Sequence, residues 1–321
     1  MKRMSALRKT LALALAASAC GHGVSGTAAS VPAGASPPSA SRALVEARVA
    51  AGDGVSIHYV VEGVGPVVVL SHCVDCNLHY WDFVAADLAT DHRVVRLDLA
   101  GHGDSGADRK AWTIENFAGD IRAVADALAL EKFTLVGHSM SGTVVLEAAV
   151  ELGDRVTGVV PVDSVLDVDA RMPAEARKKV IGDLRADYPK FIDVHFPELL
   201  PEHPDPKVVE RVRHDALSAD PERTATILDA LFAYREDLAL DRLTVPIVAI
   251  DSDLRRLELE HNRAHAPQFD ARILPGTSHW LMLDEPAAFA ALLREVLGEI
   301  ESGTAKKRPE GTARRSGAPR N

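Results

Sequence analysis

The sequence predicts an α/β domain: a mainly parallel central sheet flanked by helices, with a helical insertion before the last two strands. Three observations predict it. Short apolar runs such as Val67-Val68-Val69-Leu70 recur along the chain, as expected of strands buried on both faces. Stretches of helical period separate them. Residues 166–240 interrupt the alternation with a charged, proline-punctuated stretch of helical pattern. Strands that alternate with helices cross over right-handedly and pair in parallel.

The elements follow in order. Ala43–Val49 and Val55–Val61 flank Gly52-Asp53-Gly54, a hairpin signal. Val67–Leu70 is the first doubly buried strand, and residues 78–89 carry helical spacing. Arg93–Leu97 is a strand. Asn116–Leu130 places Phe117, Ile121, Val124, Ala125 and Leu128 on one helical face. Phe133–Val136, a helix over Thr143–Leu152 and a strand over Val156–Val162 come next. After the insertion the alternation resumes with strand Ile247–Ile250, helix Glu258–Ala266, strand Arg272–Leu274 and helix Ala287–Ile300.

Composition narrows the class of protein. Of 321 residues 47% are apolar and 26% charged, which excludes a collagen-like, disulfide-dense or wholly disordered chain. The formal charge of −10 speaks against a nucleic-acid partner, since phosphate binding needs a basic face. Both ends differ from the middle. Lys2, Arg3, Arg8 and Lys9 precede a short apolar run from Leu11 to Ala17 and then small residues, the pattern of a secretory signal over 1–19. The run falls short of the ~20 apolar residues of a membrane span. Residues 20–43, mostly Gly, Ser, Ala and Pro after Cys20, read as a flexible tether. Residues 301–321, with Lys306, Lys307, Arg308, Arg314, Arg315 and Arg320, read as a basic disordered tail. The folded domain is then 44–300, more acidic than the whole chain.

Ala17-Ser18-Ala19-Cys20 resembles a bacterial lipobox, which would acylate Cys20 and anchor the exported protein to a membrane of the cell envelope. Ala17-x-Ala19 also fits ordinary signal cleavage and release. An oxidising compartment permits a local Cys73–Cys76 disulfide. Two free thiols are the other reading. His72-Cys73-x-x-Cys76-x-x-His79 holds ligand-like residues, but a single cluster on one loop does not make a zinc site, and no metal and no cofactor are expected.

The segment Phe133-Thr-Leu-Val-Gly137-His138-Ser139-Met140-Ser141-Gly142-Thr143 runs from a strand through small residues into a helix. That is the setting of a nucleophile elbow, where a serine hydroxyl stands at a helix N-terminus. With this segment the region 44–300 resembles the α/β-hydrolase family. Ser141 stands where the family has its second elbow glycine. Three further segments carry the resemblance in the family's order: His72-Cys73-Val74 for the oxyanion loop, Asp98-Leu-Ala-Gly101-His102-Gly103-Asp104-Ser105-Gly106 after the fourth strand, and Gly276-Thr-Ser-His279-Trp280 for the catalytic-histidine loop.

The resemblance implies roles. Ser139 is the expected nucleophile, which needs a base to accept its proton. His279 is the expected base, His138 the second choice, and His72 an organiser of its loop. Asp253, after the penultimate strand, is the first choice as triad acid. Asp163, after the preceding strand, is the alternative, and Asp251 the third. The backbone N–H groups of Met140 and Val74 would form the oxyanion hole. A serine at the elbow implies acyl transfer to water, with a small-molecule ester, lactone or thioester as substrate. An aspartate there would have implied dehalogenase or epoxide-opening chemistry. Residues 166–240 would form a lid, with Phe191, Phe196, Leu199, Leu200, Leu231 and Phe232 available to line a pocket or pack a core. The rival expectation is a non-catalytic binding or sensor lipoprotein on the same fold.

Overall fold

The computed structural model describes residues 44–308. The signal, the tether and Cys20 lie outside the described residues, as does the tail beyond 308. Eight strands form one sheet in the order β1-β2-β4-β3-β5-β6-β7-β8. They are β1 Val45–Ala50, β2 Ser56–Glu62, β3 Val67–Ser71, β4 Arg93–Leu97, β5 Phe133–His138, β6 Val156–Val162, β7 Ile247–Ser252 and β8 Phe269–Leu274. The hairpin β1–β2 is antiparallel, and β2 pairs antiparallel with β4; all other pairs are parallel. Every residue of β5 and of β7 is buried, as expected of central strands covered on both faces.

Helices cover both faces. On one side α1 (Asp82–Leu88) packs with α11 (Pro286–Glu301), burying Val84, Leu88, Phe289, Leu293 and Leu297. On the other α2 (Ile114–Ala127) and α3 (Met140–Leu152) bury Phe117, Ile121, Val124, Val144 and Ala148. These are apolar positions three or four apart, so one stripe of each helix meets the sheet. Two shorter helices, α9 (Leu259–His265) and α10 (Leu281–Asp284), flank β8 in the chain.

Between β6 and β7 the chain forms α4 (Ala174–Ala186), α5 (Tyr188–His195), α6 (Pro206–Ser218), α7 (Pro221–Ala233) and α8 (Glu236–Arg242). The sequence marks three of these starts. Asp187, Asp205 and Asp220 each accept a backbone N–H of the first turn, with a proline at the first or second helical position. An aspartate cap satisfies a donor that the helix cannot, and proline has no N–H to leave unsatisfied. Ile181, Leu184, Tyr188 and Ala225 make a small core within this insertion.

The boundary expected at residue 300 falls later. Ala305 is buried, and Arg308 donates to the carbonyls of Asp241, Leu243 and His265. The start of the basic segment is held by capping carbonyls that other parts of the chain supply. No helix among the described residues is long and apolar enough to cross a membrane.

Candidate active site

Ser139 follows β5 and caps α3 with φ 56° and ψ −118°, a left-handed backbone that a residue with a Cβ rarely adopts. The surroundings force it. A Cβ on Gly137 would meet the Ser141 carbonyl oxygen at 2.1 Å, and one on Gly142 would meet Ser164 Oγ at 2.3 Å. The strand and helix therefore approach so closely that only glycine fits at both positions. Ser139 N donates to the Val162 carbonyl of the adjacent strand, at 2.9 Å, which pins the turn to the sheet.

His279 follows β8 in the chain. Its backbone N donates to the Leu199 carbonyl of the insertion at 2.9 Å, and its ring Nδ1 lies 2.5 Å from Asp163 Oδ2. Asp163, at the end of β6, is fully buried. Its Oδ1 accepts from Ser252 N at 2.9 Å and Ser252 Oγ at 2.7 Å. Its Oδ2 also accepts from Arg255 Nη2 at 2.7 Å. Burial alone would raise this carboxyl's pKa, but the Arg255 charge and the His279 and Ser252 hydrogen bonds hold it well below the usual range. An ionised Asp163 only accepts, so His279 Nδ1 carries the proton and Nε2 presents a lone pair. Burial keeps the His279 pKa below its ordinary value, against the pull of Asp163, and the Arg255 charge adds to the lowering.

Asp253 is not beside the histidine. It is exposed, and its Oδ1 accepts from Gly276 N at 2.9 Å, tying the turn after β7 to the turn after β8. The expectation of Asp253 as partner to His279 is corrected to Asp163. The neighbouring parallel strands β6 and β7 end at the same sheet edge, and the carboxyl whose side chain turns inward belongs to β6. Asp251 is buried with Oδ1 near Ser164 N (3.3 Å). Burial and the adjacent Asp163 charge push its pKa well above the usual range, and its hydrogen bond goes to Ser164 rather than to the histidine. Arg255 was not singled out in the sequence; a lone arginine in a loop carries no pattern.

The remaining histidines serve as struts. His138 is fully buried, and its Nε2 donates to the His279 carbonyl at 2.7 Å. Burial depresses its pKa strongly. His72 Nε2 accepts from Leu99 N at 3.1 Å and its Nδ1 donates to the Cys73 carbonyl at 2.7 Å, so it joins the loop after β3 to the loop after β4. Ser141 Oγ donates to the His72 carbonyl and accepts from Ser71 Oγ, 2.9 Å away. The residue that replaces the family glycine thus bonds the elbow to the loop carrying Cys73 and Val74.

Cys73 and Cys76 are joined by a disulfide, with Cα atoms 5.3 Å apart. Asp75 lies inside that ring at φ 56°. It accepts from Tyr188 OH (2.9 Å) and Thr224 Oγ1 (2.7 Å), both from the insertion. Burial raises its pKa to about 6. The ring therefore connects the loop beside Ser139 to the helices above it.

Ser139, Met140, Val74, Asp163, Arg255 and His279 all line one cavity of about 360 Å³. Met140 opens α3, where a helix leaves its first N–H groups without intrahelical partners. Phe191, Phe196, Leu199, Leu231 and Phe232 supply apolar wall; Leu200 packs against the core instead. The arrangement can activate a hydroxyl by a neutral imidazole and stabilise an oxyanion at a helix N-terminus.

Known proteins share this fold. An uncharacterized protein of Mycobacterium tuberculosis is 32% identical over 104 residues, which is 32% of this chain and 30% of that protein. This chain thus spans less than a third of that relative's own length. A thermophilic esterase from Thermogutta terrifontis superposes with a TM-score of 0.70 at 24% identity, covering 80% of this chain and 99% of the esterase. An enol-lactonase from Burkholderia xenovorans does so at 0.68 and 24% identity, covering 79% and 100%. Likenesses at these identities establish the fold. A sequence model of the alpha/beta hydrolase family matches residues 67–292, and the chain belongs to that family.

Proposed function

We propose that the protein is a serine hydrolase that cleaves a small-molecule carboxylic ester, lactone or thioester through an acyl-enzyme. One observation carries the reading. The neutral His279 is oriented by an ionised Asp163 at 2.5 Å in the same cavity as the strained Ser139. In this mechanism His279 Nε2 takes the Ser139 proton as the hydroxyl attacks the carbonyl carbon. The N–H groups of Met140 and Val74 hold the oxyanion. The protonated His279 then passes its proton to the leaving alcohol, and water repeats the steps in reverse to free the acid. Asp163 orients the ring and stabilises its charge without taking the proton.

The cavity supports an uncharged, largely apolar substrate. Its walls are mostly aromatic and aliphatic, and its buried acidic groups Asp75 and Glu236 are both raised by desolvation. A carboxylate-bearing substrate would meet no compensating cation except Arg171 and Arg255, of which Arg255 is committed to Asp163 and Arg171 to Asp237. Export and a lipid anchor on Cys20 belong to the same proposal; intact-mass analysis of membrane-extracted protein and of Cys20→Ser tests them.

A fluorophosphonate probe and a series of p-nitrophenyl esters of rising acyl length test the reaction. Labelling and turnover that vanish together in Ser139→Ala support it. A protein that takes no label and hydrolyses none of the esters would instead be a binding or sensor protein on this fold.

A further inference from the structure

Away from this cavity, β1, β2 and the loop after β4 bring three metal-ligand side chains together. Glu46 lies on the edge strand β1, His58 on β2 and Asp104 in the loop. One donor atom from each lies within 4.8 Å of the other two. None of the three lines the cavity that holds Ser139.

The histidine is built for ligation. His58 is only 3% exposed, and its Nδ1 lies 2.8 Å from Asp98 Oδ2. Asp98 also accepts from Leu78 N (2.8 Å) and Asp104 N (3.0 Å), so it acts as an acceptor and Nδ1 is the donor. Nε2 is the ring nitrogen that faces Glu46. It is buried and makes no hydrogen bond, yet Glu46 Oε1 lies 3.1 Å away. A nitrogen and a carboxylate oxygen at that distance need positive charge between them, which a proton on Nε2 or a bound cation supplies. A carboxylate that fixes one ring nitrogen so that the other points at an ion is the usual support of a metal-bound histidine.

Spacing and charge select the ion. Bonds of ~2.0–2.1 Å in a tetrahedral zinc site place neighbouring ligand atoms roughly 3.3 Å apart; the His58–Glu46 pair is already near that spacing, and the exposed Asp104 side chain, whose donor lies within 4.8 Å of both, would move in to complete the set. Glu46, Asp98 and Asp104 bring three negative charges, and Arg48, which donates to the Asp104 carbonyl, brings one positive. A divalent cation balances them. One imidazole and two carboxylates suit a borderline ion of the zinc class better than magnesium or calcium, which take oxygen ligands. We propose that Glu46, His58 and Asp104 bind a divalent transition-metal ion of the zinc class, with water completing the shell. The ion would staple the edge strand to the loop after β4.

The rival is a second proton on His58, giving an imidazolium paired with Glu46. Tag-free protein stripped with chelator and titrated with Zn²⁺ calorimetrically, alongside thermal melts, separates them. The proposal expects saturable binding of one ion per chain and a rise in Tm. Glu46→Gln and Asp104→Asn, both on exposed side chains, should each weaken binding about tenfold or more, since losing a ligand costs at least what losing an outer-shell support does. His58→Gln should abolish it, and the two surface variants keep the test decisive if that one does not fold. No saturable Zn²⁺ binding, or an affinity in Glu46→Gln and Asp104→Asn that matches the unaltered protein, overturns the proposal.

Discussion

Asp163 Oδ2 receives both His279 Nδ1, at 2.5 Å, and Arg255 Nη2, at 2.7 Å. One buried oxygen thus anchors the imidazole and a guanidinium at once. If Asp163 is the triad acid, Asp163→Asn should lower kcat by about 10,000-fold, because an amide no longer enforces the Nδ1–H tautomer. Asp253→Asn should keep kcat within a few-fold, since the amide Oδ1 can still accept from Gly276 N. Steady-state kinetics of the two variants decide the matter; equal losses in both would remove Asp163 from the role.

The same contact sets the pH dependence. His279 acts as a base only when neutral, and burial with the Arg255 charge holds its pKa below the ordinary 6.5. The groups facing it are Asp163, which raises the pKa, Arg255, which lowers it, and the neutral ring of His138, 4.7 Å away. The acid limb of kcat/KM should therefore titrate below pH 6.5. In Arg255→Gln the opposing charge is gone, so the limb should move to higher pH. A limb that stays in place would show that Arg255 acts only as a structural tie.

Ser141 offers a separate measurement. In Ser141→Ala the His72 carbonyl loses its donor and Ser71 its acceptor, both in a buried setting. Leaving buried polar groups without partners costs about 1–3 kcal/mol, so denaturant unfolding should show a lower midpoint. If the bond also holds the oxyanion loop, kcat should fall while KM changes little. A rise in KM with kcat unchanged would assign Ser141 to substrate binding instead.

The Cys73–Cys76 bond adjoins Val74, one of the two proposed oxyanion donors. Removing an oxyanion donor outright costs ~100–1000-fold in rate. Loosening its loop should lose part of that, so reductant and Cys76→Ser should each lower kcat. Turnover unchanged by both would mean that the hole keeps its shape without the ring. Because Asp75 sits in the ring and accepts from Tyr188 and Thr224, the same variant should also expose the insertion to proteolysis.

Much of the architecture was legible along the chain. Unbroken apolar runs marked the doubly buried strands, and helical spacing marked α2 and α11. Asp-Pro pairs marked the starts of α6 and α7. Gly137, Ser139 and Gly142 are legible because a tight strand–turn–helix tolerates few residues, which leaves a local signature. His279 is singled out through the resemblance of Gly276-Thr-Ser-His279-Trp280 to the family's histidine loop after the last strand. The sheet edge where the site lies follows from the same alternation.

What the linear order could not decide is which side chains meet. Asp163 and Asp253 follow neighbouring parallel strands, and the resemblance ranks Asp253 first with Asp163 as the alternative. Only the packed structure shows one carboxyl turned inward onto Ser252, Arg255 and His279 and the other turned out to a turn amide. The Ser141 tie, the Asp75 contacts and the Glu46–His58–Asp104 cluster join residues from separate elements and have no local signature. Local backbone demands are written in neighbouring residues, so the sequence by itself determined the elements and the elbow. Hydrogen bonds between distant segments depend on reach, burial and competition for the same donor, and those exist only once the chain is folded.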